Sequence, residues 1–198
     1  MISKILKSVL LVGVTVTLLS FDLPKDWIKA GSKPKNYDMG VDKGAGQNGR
    51  NAATIKSTVA QIEGFGTLMQ QCLPDKYLGK RVRMSGYFKS KDVVGWSSFW
   101  LRIDYPKNSK SPTSFDNMHD GKKDRAIMGT TEWKKYEIVL DVASDAENMA
   151  FGALLDGTGQ IWIENLSFEI VDSSVPTTGL DGDKSSTPSE PSNLDFSK

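Results

Sequence analysis

The chain has 198 residues, room for one ordinary domain with terminal extras. Its 25 basic and 24 acidic residues leave a formal net charge of +1, so no global field draws nucleic acid. Cys72 is the only cysteine and His119 the only histidine, which excludes an intrachain disulfide, a CxxC metal site and a His-rich zinc site.

The first 20 residues read as an export signal. Lys4 and Lys7 supply a positive start, and the run 9–19 supplies a short apolar stretch. That run falls short of the ~20 residues a comfortable membrane span needs. Leu18 stands where a cleavage site prefers a small residue, so an uncleaved N-terminal anchor remains open beside a cleaved signal. Either form places the protein in the periplasm or outside the cell.

The body opens at 26–31 (DWIKAG), with Trp27 tucked against the domain, and continues through a short extended segment at 36–42. The stretch 43–50 (KGAGQNGR) is turn chemistry, where glycine adopts positive φ at low cost. Alternation predicts strands over 51–57 and 64–71. Pro74 and Gly79 frame a helical turn over 73–79. A strand over 80–89 sends Val82, Met84 and Phe88 to one face and Arg83, Ser85 and Tyr87 to the other.

The next strand, 95–104 (GWSSFWLRID), is the most informative. Ser97, Phe99, Leu101 and Ile103 form an inner row, while Trp96, Ser98, Trp100, Arg102 and Asp104 form an outer one. Trp96 and Trp100 lie roughly 13 Å apart at strand rise. Sugars stack their C–H faces on indoles and need paired polar partners for their hydroxyls, which Arg102 and Asp104 could supply. Two readings stand: a recognition groove floored by this row, or a second small core in which the tryptophans are covered.

A long polar loop spans 105–129. Within it, Asp116 and Asn117 could fold over the groove or could form an Asx turn. Gln70 joins the candidates if its strand neighbours the groove. A strand over 134–141 turns Tyr136, Ile138 and Leu140 inward, and another over 148–155 aligns Met149, Phe151, Ala153 and Leu155. Gly157-Thr158-Gly159 reads as a hairpin turn into a final strand, 160–171. There the inward parity changes across Glu164-Asn165, predicting a β-bulge. Residues 172–198, rich in Ser, Thr, Pro, Asp and Gly, form an expected disordered tail. Cys72 is expected to be a buried, inert thiol.

Seven to nine short strands with turns between them predict an all-β antiparallel sandwich over 26–171. The stretch TTEWKKYEIVLDVASDAENMAFGALLDGTGQIWIENLSFEIV (130–171) resembles the end of a galactose-binding-like jelly roll of the kind found in carbohydrate-binding modules. GFGTLMQ (64–70), GKRVRMSGYFK (79–89) and FDNM (115–118) are similar to an uncharacterised bacterial family. Its members occur alone or attached to proteins labelled as transcriptional regulators. The likeness runs over about 27–171. It implies a jelly roll and a carbohydrate-binding role. Structural calcium is common in such modules, but Glu164-Asn165 stand where sugar-binding relatives often place two aspartates. The calcium is therefore left open, no metal ligand is assigned and no other cofactor is expected.

No nucleophile elbow and no glycosidase-like acid pair can be read from the chain, so no catalytic residue is assigned and the protein is expected not to be an enzyme. The expected function is a secreted or periplasmic, non-catalytic binding module for a carbohydrate or similar polyhydroxylated ligand. Its candidate ligand-binding residues are Trp96, Trp100, Arg102, Asp104, Asp116, Asn117 and Gln70. The alternative is a cell-envelope structural or protein-interaction module with no small-molecule ligand. Neither includes a nucleic-acid partner, or a membrane contact beyond an uncleaved anchor.

Overall fold

Two long strands carry the architecture. The computed structural model describes residues 20–111, 114–120 and 123–179. The export-signal expectation, apart from Ser20, and the tail beyond 179 lie outside the described residues. The strands are β1 (Ile28–Gly31), β2 (Tyr37–Asp42), β3 (Ala52–Ser57), β4 (Phe65–Cys72), β5 (Lys80–Asp104), β6 (Ser114–Asp116), β7 (Ile127–Val142) and β8 (Asn148–Val171). Every pairing between them is antiparallel.

β5 and β8, of 25 and 24 residues, pair along almost their whole length and belong to both layers of a sandwich. In one layer the order is β1-β4-β8-β5-β6, built on the second half of β5 and the first half of β8. In the other, β2-β3-β8-β5-β7, the opposite halves are used. The pair folds back on itself where the register shifts between Lys91 and Val94. Gly95 and Gly157 have φ of 102° and 86° there, and a Cβ on Gly157 would meet the Val94 carbonyl oxygen at 2.1 Å. Only glycine fits such an approach. The Gly157–Gly159 segment is therefore a bend inside one continuous strand, not the hairpin turn its composition suggests.

The core lies between the folded halves. Phe88 in one half of β5 meets Phe99 in the other edge to face, with ring centroids 5.2 Å apart. Phe151 and Phe168 do the same along β8 at 4.7 Å. The expected inner row is inside: Ser97, Phe99, Leu101 and Ile103 are all at most 2% exposed. Trp27 closes one side with its ring edge-on to Phe151 at 6.0 Å. The expected bulge is present: the β5–β8 register shifts between Ser85 and Tyr87, opposite Asn165 at φ 52°.

Other expectations are corrected. Residues 73–79 form hydrogen-bonded turns: the Tyr77 N–H donates to the Pro74 carbonyl at 2.7 Å, and Gly79, at φ 68°, ends them by donating its N–H to the Val142 carbonyl. The 105–129 loop contains β6, and β7 begins inside it at Ile127. Cys72 is exposed rather than buried, at the last paired position of β4 opposite Met149. Described residues on either side of 26–171 also contact the sheet. Asp22 bridges to Val41, and Ser20 Oγ donates to Asp38 at 3.1 Å. Asp172–Gly179, placed in the tail by composition, instead runs beside β7. Arg81 donates to the carbonyls of Ser173 and Val175, and the Thr178 N–H donates to Val139 at 2.9 Å. Backbone bonding supplied by the sheet decides this segment's placement where side-chain hydrophobicity cannot.

Candidate functional site

The outer row of β5 faces a groove, and the cross-strand register explains its shape. On β8, Gly152 lies between Met69 of β4 and Trp100 of β5. Ala150 lies between Gln71 and Arg102, with Phe115 of β6 beyond Arg102. A central strand with almost no side chain, flanked by strands with large ones, leaves a trough along its length. β4 and β8 approach so closely that a Cβ on Gly152 would meet the Leu68 carbonyl oxygen at 2.2 Å. The groove has a volume of about 400 Å³; Phe65, Met69, Leu154 and Phe115 give it apolar walls, and Gln71 and Arg102 give it polar ones.

Trp100 is 7% exposed and packs with Ala150 and Leu154. Its Nε1–H donates to the Thr67 hydroxyl at 2.9 Å, which donates to the Ala153 carbonyl at 2.7 Å. The reading of a second small core therefore holds for this ring, which also lines the groove. Trp96, half-buried, lies two rows further along, opposite Asp156. Its indole stacks on the His119 ring with centroids 4.6 Å apart and planes 32° from parallel. His119 Nδ1 lies 3.3 Å from an Asp124 carboxylate oxygen.

Arg102 and Asp104, two residues apart on one strand face, form a side-on pair. Arg102 Nε donates to Asp104 Oδ1 at 2.7 Å and Nη2 to Oδ2 at 3.2 Å. Asn148 Nδ2 adds a third bond to Oδ2 at 2.8 Å. Burial pushes the Asp104 carboxyl up, but Arg102 and Asn148 outweigh it and hold it below the usual carboxylate range.

The remaining candidates are elsewhere. Asp116 is buried and engaged, accepting from the Met118 N–H at 2.6 Å and from Arg125. Asn117 makes an Asx turn, its side-chain oxygen accepting from the N–H groups of His119 at 3.1 Å and Asp120 at 2.7 Å. Gln70 points to the opposite face of β4, into a separate hollow beside Trp27 and Tyr77. Its neighbour Gln71 is on the groove side. Phe65, Thr67, Met69, Leu154 and Phe115 also belong to the groove and were missed, because only the pairing of distant strands brings them beside Trp100. Their one sequence signal is the alternation within β4 and β8.

A calcium at Glu164 does not fit the surrounding donors. The carboxylate is buried and already holds a cation, accepting from Arg50 Nη2 at 2.8 Å. It also accepts from the Gln47 backbone N–H at 3.0 Å and from Gln47 Nε2 at 2.7 Å. Among the described residues no group of three His, Cys, Asp or Glu side chains is arranged to hold a metal.

No family model matches the chain. An uncharacterized HTH-type transcriptional regulator of Bacillus subtilis (strain 168), YbfP, is 42% identical over 158 residues, covering 79% of this chain and 52% of the relative. The chain thus spans about half the length of the curated relative it matches. Among solved structures, the enzymatically active domain of bacteriophage CBA120 tailspike protein 4 superposes with a TM-score of 0.55 at 10% identity, over 74% of this chain and 20% of that one. The CBM22-1 xylan-binding domain from Paenibacillus barcinonensis superposes with a TM-score of 0.51 at 13% identity, over 76% of this chain and 89% of that one. At such identities the likeness is one of fold. The described residues form an antiparallel β-sandwich, the fold of that xylan-binding module.

Proposed function

We propose that the protein is a non-catalytic binding module whose ligand is a carbohydrate or a similar polyhydroxylated molecule, held in the groove lined by Phe65, Met69, Phe115 and Arg102. One observation carries this reading. Apolar walls from Phe65, Met69 and Phe115 stand beside Arg102 in one concave site, and Asp104 is bonded to that guanidinium at the groove's margin. A sugar ring presents apolar C–H faces and hydroxyls that need both donors and acceptors, which matches this combination. The shared fold with a xylan-binding domain supports the same class of ligand.

The test is affinity electrophoresis in gels containing soluble polysaccharides, with wild-type protein and Phe65→Ala. Retardation of the wild type by at least one polysaccharide, weakened in the variant, is the expected result. Equal mobility in every gel overturns the reading.

The basic start and apolar run of residues 1–19 support an exported location for this chain. Cell fractionation checks it: recovery in the cytoplasm refutes export. The likeness to a transcriptional regulator over about half of that protein favours a second setting for the same groove, that of a module whose ligand controls an attached partner. A binding partner recovered with the full chain in place of any glycan would favour that setting or a protein-interaction role.

A further inference from the structure

Among the described residues Arg102 is the only ionisable side chain lining the groove, and its charge is already matched. Asp104 holds it through two bonds, and Asn148 pins the carboxylate from the other side. The pair is still within reach of a ligand, with side chains 46% and 36% exposed. Arg102 Nη1 has no partner among the described residues and remains available as a donor.

An anionic ligand that accepts from Nη1 meets a guanidinium whose charge is already matched and sits close to the like-charged Asp104 carboxylate. One that draws the guanidinium away leaves that carboxylate without its cation. Both routes oppose binding. A neutral diol meets no such opposition. One hydroxyl accepts from Arg102, its neighbour donates to Asp104, and the ion pair stays intact.

We propose that the groove selects uncharged glycans over uronate- or sulfate-bearing ones, with Arg102 and Asp104 acting as one donor–acceptor unit on adjacent hydroxyls. This rests on the carbohydrate reading of the same groove. Asp104 is the discriminating residue, because its carboxylate cancels the one positive charge an acidic sugar could use.

The experiment is an array of neutral, uronate-bearing and sulfated oligosaccharides probed with the full chain, followed by titration of the best ligand from about 20 to about 500 mM NaCl. The expected result is binding confined to neutral oligosaccharides, with affinity changing less than about twofold across the salt range. Asp104→Asn frees the guanidinium, so it should bind acidic oligosaccharides at low salt and lose that binding at high salt. Arg102→Gln should lose neutral binding and gain none for acidic probes, and the two variants need only retain the wild-type circular dichroism spectrum to be read. Tighter wild-type binding of acidic than of neutral probes overturns the charge inference and leaves the carbohydrate reading standing. Retention of neither class overturns both.

Discussion

The indole N–H of Trp100 and the hydroxyl of Thr67 are joined at 2.9 Å across β5 and β4, over the backbone of β8. This bond ties the groove floor to the strand that forms its wall, and it makes Trp100 a structural residue first. Trp100→Ala should cost about 3–5 kcal/mol, as expected for a large buried aromatic ring. Thr67→Val should cost about 1–3 kcal/mol by leaving the indole donor unpaired. Denaturant unfolding of both variants checks these values. A Trp100→Ala protein as stable as wild type would mean that the ring is not packed as described.

Ligand contact is better probed at Phe65, which lies on the wall and is only partly buried. Phe65→Ala should weaken glycan binding by about tenfold, the loss of one stacked apolar face, and shift the unfolding midpoint little. Isothermal titration alongside a thermal melt separates the two effects.

Glu164 offers a test of how the bulge is held. Arg50→Met leaves a carboxylate that is 3% exposed without its cation and should destabilise the domain by about 2 kcal/mol. Because the guanidinium already occupies the carboxylate, the wild-type melting temperature should be unchanged by a calcium chelator or by added calcium. A calcium-dependent rise would refute this assignment.

Tyr37 gives the domain an alkaline limit. Burial, reinforced by Asp156, pushes its hydroxyl up to about 12, while the bond to the Gly157 carbonyl pulls the other way. The hydroxyl donates to the carbonyls of Gly64 at 2.9 Å and Gly157 at 2.8 Å, which requires its proton. A folded pKa above the unfolded value means the contribution is complete below about pH 10 and disappears as pH rises through about 12. The loss is on the order of 1 kcal/mol after solvent screening. Tyr37→Phe should flatten stability between those limits in pH-dependent urea unfolding.

The sandwich was legible because alternation is local. The inner rows of β5, β7 and β8 can be read from residues two apart, and Phe99, Ile138 and Met149 are where that rule puts them. The sidedness of Trp100 followed from the same rule, but its burial did not. Phe65, Met69 and Phe115 come from other strands, and no spacing within 95–104 announces them. Gln70 and Gln71 show the same limit more sharply. One residue of parity decides which faces the groove, and Gly66 in β4, with no side chain to show a face, obscures that parity until its pairing with β8 is known. The loop residues Asp116 and Asn117 have side chains that bond their own backbone as readily as a ligand, and here they do the former.

The sharing of β5 and β8 by both layers has a mechanical consequence. Both β5 and β8 run through the bend from one layer into the other and stay paired on each side of it, so separating the layers disturbs the ladder that both share. Melting followed at Trp100 on one side and at Tyr136 on the other should therefore give a single coincident transition. Amide exchange in the central stretches of the two crossing strands should report the same opening free energy, that of the whole molecule.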